Sequence, residues 1–212
     1  MMRIRISLKT QLFWLVIFSM VILLAGCGSK EAALKEASGD KDRLNFSSET
    51  IAAGEKLPNL YQNKKIHYSI RYSDSWKAPE LEADGTAYWD IKESATSTIK
   101  SNFNVVILPK SDLVVRKMSD KAFMEIVSNS LKENGFSEIK VTGSLKSTKN
   151  EEVWFFFEYE AKIDGKMTYF QQYYFDNGKK VAILTNIFGT KEEQQKYTDE
   201  IRSGMSSLKI LN

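Results

Sequence analysis

Apolar and polar positions alternate along the chain from residue 61, switch to a longer period, and then alternate again. The stretch "KIHYSIRYS" sets Ile66, Tyr68, Ile70 and Tyr72 on one face and His67, Ser69 and Arg71 on the other, the period of a half-buried strand. "TAYWDIK" (86–92) and "FNVVILP" (103–109) read as two more strands, the second stopped at Pro109. The period then lengthens. After an N-cap at Ser119, the positions Phe123, Ile126, Val127, Ser130 and Leu131 form the single stripe of an amphipathic helix. Gly135 stands where a helix-ending glycine belongs.

Alternation returns in "EIKVTGSLK", through Ile139, Val141 and Leu145. "EVWFFFEYEAK" and "KMTYFQQYYF" flank Ile163-Asp164-Gly165, and Asp-Gly is a strong tight-hairpin signal. Asp176-Asn177-Gly178 turns the chain again, into "KKVAILTNIF". Thr190-Lys191-Glu192-Glu193 fits a capping box, and Tyr197, Ile201, Met205 and Leu208 line one side of the helix it opens. The late strands are bulky on both faces. Val153, Phe155, Phe157 and Tyr159 point one way, Trp154 and Phe156 the other; Val181, Ile183 and Ile187 oppose Ala182 and Leu184. A sheet open to water on one side would be polar there, so helices are expected on both sides. The expected fold is α+β: an antiparallel β-sheet of about six or seven strands sandwiched between helices, a three-layer domain over residues 61–212.

Upstream the pattern is different. Arg3, Arg5 and Lys9 precede an apolar run from Leu12 to Ala25 that only Ser19 interrupts. The run is shorter than the ~20 residues that span a bilayer as a helix. A basic start and a short apolar run are the layout of a secretory signal peptide. The run ends in Leu24-Ala25-Gly26-Cys27, which resembles the lipobox of bacterial lipoproteins. That resemblance implies a signal peptide over residues 1–26, cleavage between Gly26 and Cys27, and a diacylglycerol thioether on the Cys27 sulfur. Small residues at 25 and 26 let a membrane peptidase reach the bond, and the thiolate is the nucleophile that takes the lipid. Cys27 is the single cysteine, so no disulfide framework is available. Residues 28–59 are rich in Ala, Lys, Glu, Ser, Gly and Asp and hold no long period. The lipidated cysteine and this stretch, 27–60, are expected to form a flexible tether of roughly 30 Å.

Charge then changes the picture. Lys and Arg number 30 against 27 Asp and Glu, but the excess is Arg3, Arg5 and Lys9 of the leader; without them the counts are equal. A balanced chain is not built as a nucleic-acid binder, and no nucleic acid is expected among its partners.

The domain sequence is similar to the PsbP-like family, of the type found in DcrB-like bacterial lipoproteins. The likeness runs over about residues 61 to 210. It is carried by Tyr72-Ser73-Asp74-Ser75-Trp76 after the first strand and by Gln171, Tyr174, Gly178 and Thr185 in a late run. Members usually have Pro after that tyrosine, where this chain has Ser73. The resemblance implies a core position for Trp76 and a non-enzymatic accessory or binding role. Members differ in partner, so the fold alone does not name one.

Candidate chemistry is sparse. His67 is the single histidine and is expected on the polar face of the first strand. A Ser-His-Asp triad would have to use it with Asp74 and Ser75, all within nine residues of one strand and turn. Common zinc spacings are absent, and no cofactor is expected. Glu158 and Glu160 share a strand face, where a salt-laced surface explains them better than an acid–base pair. Asp176, Asn177 and Gly178 lack the downstream ligands of a calcium loop. Tyr169, Phe170, Tyr173 and Tyr174 could stack on a sugar or base, but alternation assigns them to the core. The expected function is that of a lipid-anchored protein on the extracytoplasmic face of the cell membrane. It is not an enzyme but a binding or accessory module for a protein partner at the envelope. The alternative is a carrier of an apolar ligand or lipid in a pocket between sheet and helix.

Overall fold

The computed structural model describes residues 46–82, 85–93, 99–109, 119–149 and 152–211. Gly26, Cys27, the apolar run and the first part of the tether lie outside the described residues.

The late hairpins organise the molecule. Strands β7 (Glu152–Ile163) and β8 (Lys166–Asp176) pair antiparallel through Ile163↔Lys166. Their two-residue turn puts Asp164 and Gly165 at φ 50° and 75°. Both are left-handed, as the right-handed twist of the flanking strands requires. β9 (Lys180–Phe188) follows across the Asp176-Asn177-Gly178 turn. β6 (Ser137–Lys149) pairs outside β7, and β5 (Asn102–Pro109) pairs on the far side of β9. With β4 (Ala87–Asp90) and β3 (Glu80–Leu81), the order is β3-β4-β5-β9-β8-β7-β6, antiparallel throughout.

Both faces of this sheet are apolar, and each has its own cover. On one, Val153, Phe155, Phe157, Tyr159, Phe170, Tyr174 and Ile183 meet Phe123, Met124, Val127 and Leu131 of helix α2 (Asp120–Glu133). The helix starts at Ser119, whose hydroxyl accepts from the Ala122 N–H, and the chain leaves it through Gly135 at φ 86°. On the other face, Phe156, Tyr173, Leu184 and Phe188 meet Tyr197, Ile201 and Met205 of helix α3 (Lys191–Ser206). Thr190 caps α3 by accepting from the Glu193 N–H, and Glu192 and Glu193 in the first turn suit the helix dipole. Each aromatic side chain buried this way contributes about 1.5–3 kcal/mol. The three-layer α+β arrangement is therefore present.

Three features differ from the sequence reading. First, β2 (Tyr68–Tyr72) is outside the large sheet. It is the middle of a second sheet, β1-β2-β10, with β1 (Asn59–Asn63) and β10 (Lys209–Ile210). Its Tyr68, Ser69 and Ile70 are all buried, because this small sheet lies over the α3 face of the core. Second, β2 begins one residue after His67. The Asn63 side-chain oxygen accepts from the N–H groups of Lys65 and Ile66, which folds residues 64–67 into a turn. Third, order extends upstream of the expected tether boundary at residue 60. Helix α1 (Ser48–Glu55), capped by Ser47, packs on α3, and the Ser206 hydroxyl donates to the Thr50 carbonyl at 3.2 Å. Gly54 permits this approach: a Cβ there would stand 2.2 Å from the Ser203 carbonyl oxygen. Before α1, Phe46 sets its ring edge-on to Trp154 at 5.3 Å. Such short elements carry too few turns or alternations to show a period.

Candidate functional site

At the end of β2 the chain turns sharply. The Ser73 hydroxyl accepts from the Ser75 N–H at 3.0 Å, and the Trp76 N–H reaches the Ser73 carbonyl. Trp76 is thereby driven inward and is 2% exposed. Its indole lies edge-on to Phe103 at 4.6 Å and beside Tyr197 at 5.9 Å. The indole N–H donates to the Glu200 carboxylate of α3, and the Ser75 hydroxyl donates to the other oxygen of that carboxylate at 3.0 Å. Trp76 thus occupies the core position that the family likeness implied.

Above this pair lies a cleft between β2 and α3. Its floor is Ile70, Trp76, Phe103 and Leu184; its rim includes Arg71, Ser73 and Glu200. Arg71 is held by donating to the Leu57 carbonyl at 3.0 Å. Gly204 keeps the helix close, since a Cβ there would stand 3.1 Å from the Arg71 carbonyl oxygen. The cleft encloses about 230 Å³ with its open mouth included. The enclosed part is only about 10 Å³, near the ~10–15 Å³ that one water needs. The floor side chains are nearly fully buried, and Arg71 and Glu200 at the rim are bonded to Leu57 and to Ser75 and Trp76, so the cleft is a shallow dent with no room for a lipid chain.

The other sequence candidates do not join this cleft as a reaction centre. His67 is exposed, at φ 58°, in the turn before β2 rather than on the strand's polar face. β2 itself separates it from Asp74 and Ser75, and Asp74 accepts from the Asn59 amide at 2.8 Å. Glu158 accepts from the Thr142 hydroxyl at 3.0 Å and from the Gln171 amide at 2.8 Å. That amide also donates to Thr198 of α3 at 3.1 Å, so Glu158 belongs to a sheet-to-helix pin. Glu160 lies 3.9 Å from Lys140 and 3.5 Å from Lys191. Glu160 lies between lysines, as the salt-laced reading expected, whereas Glu158 accepts from neutral side chains of the sheet. Asp176 and Asn177 spend side-chain oxygens on the N–H groups of Gly178, Lys179 and Lys180 within their own turn. Of the aromatic run, Phe170 stacks on Tyr159 at 4.6 Å, Tyr173 meets Phe156 and Tyr174 meets Phe123. Burial pushes the hydroxyls of Tyr159 and Tyr174 well above the ordinary tyrosine range. These rings are core. Among the described residues no three His, Cys, Asp or Glu side chains gather to hold a metal, and no helix is long and apolar enough to cross a membrane.

Sequence reasoning missed a second polar seam beneath α3. The Ser101 hydroxyl donates to Glu193 at 2.6 Å and accepts from the Gly189 N–H at 3.1 Å. Opposed on β8 and β9, Gln171 and Asn186 are buried, and the side-chain amide oxygen of each has no hydrogen-bond partner. The capping box marked Glu193 as special, but nothing local could announce its distant partner.

No family profile and no curated protein sequence matches the chain. Its fold does match solved structures. LpqN of Mycobacterium tuberculosis, which is involved in cell envelope biogenesis, aligns with a TM-score of 0.53 at 10% identity over 73% of this chain and 90% of LpqN. Cyanobacterial PsbP (CyanoP) of Synechocystis sp. PCC 6803 aligns with a TM-score of 0.51 at 11% identity, over 72% of this chain and 91% of CyanoP. At such identities the likeness concerns architecture alone, and that architecture is PsbP-like.

Proposed function

We propose that the chain is a lipid-anchored protein of the extracytoplasmic membrane face. A diacylglycerol on Cys27 holds it there, and its domain is a non-catalytic binding or accessory module for a protein partner at the cell envelope. The observation that carries this reading is the order along the chain: a basic start, an apolar run, a lipobox ending at Cys27, and then a PsbP-like domain. The shared fold with LpqN, a protein of cell envelope biogenesis, supports the same address. Both faces of the central sheet are packed with side chains, and the cleft beside Trp76 is small. Those features favour surface recognition of a partner over transport of an apolar ligand. Anchoring raises the local concentration at the envelope, so weak contacts suffice.

Mass spectrometry of the membrane fraction tests the anchor. The expected N-terminal peptide begins at Cys27 and carries lipid on sulfur. A peptide with Met1 intact and a free Cys27 thiol overturns the reading. Cross-linking of the anchored protein in its own cells tests the partner. A cross-link from Arg71 or Glu200 replaced by a photoreactive residue to one envelope protein is the expected product.

A further inference from the structure

Residues 46–58 lie on the domain rather than in it. Within α1 the single buried position is Gly54, and Ile51, its bulkiest side chain, is 43% exposed. Helices shorter than ~12–15 residues are marginal alone in water, so the eight residues of α1 persist by being held. The segment is held at its start, middle and end. Phe46 sets its ring on Trp154 at 5.3 Å, the Ser206 hydroxyl donates to the Thr50 carbonyl at 3.2 Å, and Arg71 donates to the Leu57 carbonyl at 3.0 Å.

Little of the core depends on this segment. The α3-side cluster takes only Phe46 from it, as a partly buried neighbour, and the α2-side cluster takes nothing. β1 begins at Asn59 and is in register with β2 through Asn59↔Tyr72, which fixes the chain just beyond Pro58. Pro58 has no N–H to carry either element across the junction.

We infer that residues 46–58 are a releasable strap that gives the anchored domain two reaches from the membrane, an inference that rests on the lipid-anchored reading above. Docked, the eight residues of α1 advance the chain by about 12 Å. Released, residues 47–58 add up to about 40 Å of extended chain to the connection from Cys27. Arg71 is the latch. Its guanidinium holds the end of the strap from the rim of the cleft, so the reach of the domain and the surface beside Trp76 share one group and are coupled.

The test uses the full lipidated chain in phosphatidylcholine vesicles, with hydrogen exchange read at single amides by mass spectrometry. The Ile51 and Leu57 N–H groups donate within the strap, to the Ser47 and Gly54 carbonyls. They should open together, at least about a hundredfold faster than the amides of β7 and β9. Phe46→Ala and Arg71→Ala remove contacts at opposite ends, and each should speed both amides about fivefold. Strap amides that open only as fast as β7 overturn the release, and so does a variant that speeds the nearer amide alone. Reach is read by energy transfer to an acceptor lipid from a dye on Lys132→Cys, an exposed position at the end of α2 and the free thiol of the lipidated chain. Transfer should drop in the Phe46→Ala/Gly54→Val/Arg71→Ala background, which loses both end contacts and the close fit on Ser203. Slow exchange of β7 in the same sample shows that the domain is folded. Equal transfer with and without these three changes overturns the two reaches. The N-terminal peptide reports lipid on Cys27 separately. A strap that opens as a unit on a chain without lipid sinks the anchor and leaves the release standing; lipid with a strap that does not open does the reverse.

Discussion

The indole N–H of Trp76 donates to the carboxylate of Glu200, 124 residues away in the chain. One hydrogen bond thereby joins the turn after β2 to the middle of α3, across the floor of the cleft. Removing the ring opens a cavity between Phe103 and Tyr197, so Trp76→Ala should cost about 3–5 kcal/mol. Trp76→Phe keeps apolar volume but loses the donor, and Glu200→Ala leaves the indole N–H unpaired; each should cost about 1–3 kcal/mol. The double variant should cost less than the sum. His67→Ala, in an exposed turn, should cost about 0.5 kcal/mol or less. Urea midpoints decide among these, and an unshifted midpoint for Trp76→Ala contradicts the core assignment.

Gly54 is the contact point of α1 on α3, with the Ser203 carbonyl oxygen and Ser206 Oγ at 2.2 and 2.4 Å from where a Cβ would stand. Helix propensity alone favours alanine over glycine by roughly 0.8–1 kcal/mol. The clash should win, because backbone and helix must move apart. Gly54→Ala is expected to destabilise by about 1–3 kcal/mol. Thermal denaturation reads the sign: a raised Tm would show that α1 does not pack there.

High pH should unfold the domain through its buried phenols. Burial holds the hydroxyls of Tyr68, Tyr159 and Tyr174 above the usual tyrosine range. In the unfolded chain they ionise near pH 10. The unfolded state then holds fewer protons than the folded state, so stability is full below about pH 10 and falls as pH rises beyond it. Each such tyrosine adds at most about 1.4 kcal/mol per pH unit to the slope. Urea midpoints across that range check this, and Tyr159→Phe should flatten the fall. A constant midpoint well above pH 10 would oppose it.

Function should follow the anchor and not His67. In a deletion strain the Cys27→Ser chain should fail to restore the phenotype at matched abundance, while His67→Ala and Glu160→Ala should restore it. Glu158→Ala should restore it with a lowered Tm, because Thr142 and Gln171 lose an acceptor. Immunoblots fix the abundance. Loss of rescue by a folded, abundant His67→Ala protein would point to chemistry at that imidazole.

Read from the residues alone, the long elements were legible. Each holds enough turns or alternations to set a period: the two-faced strands from 153 to 187, the Asp164-Gly165 hairpin, and the helices opened by Ser119 and Thr190. Those periods also require covers on both sheet faces, and hence three layers. The resemblance of Leu24-Ala25-Gly26-Cys27 to a lipobox is local too, since it is carried by four consecutive residues. The second sheet was decided only in three dimensions. β2 alternates like a strand of the large sheet, and its partners β1 and β10 lie at opposite ends of the domain sequence. The link of Trp76 to Glu200, the fit of Gly54 on Ser203, and the meeting of His67 and Lys180 around Leu211 have the same origin. Each joins residues that no local period relates, and only the packing of the described sheets and helices brings them together.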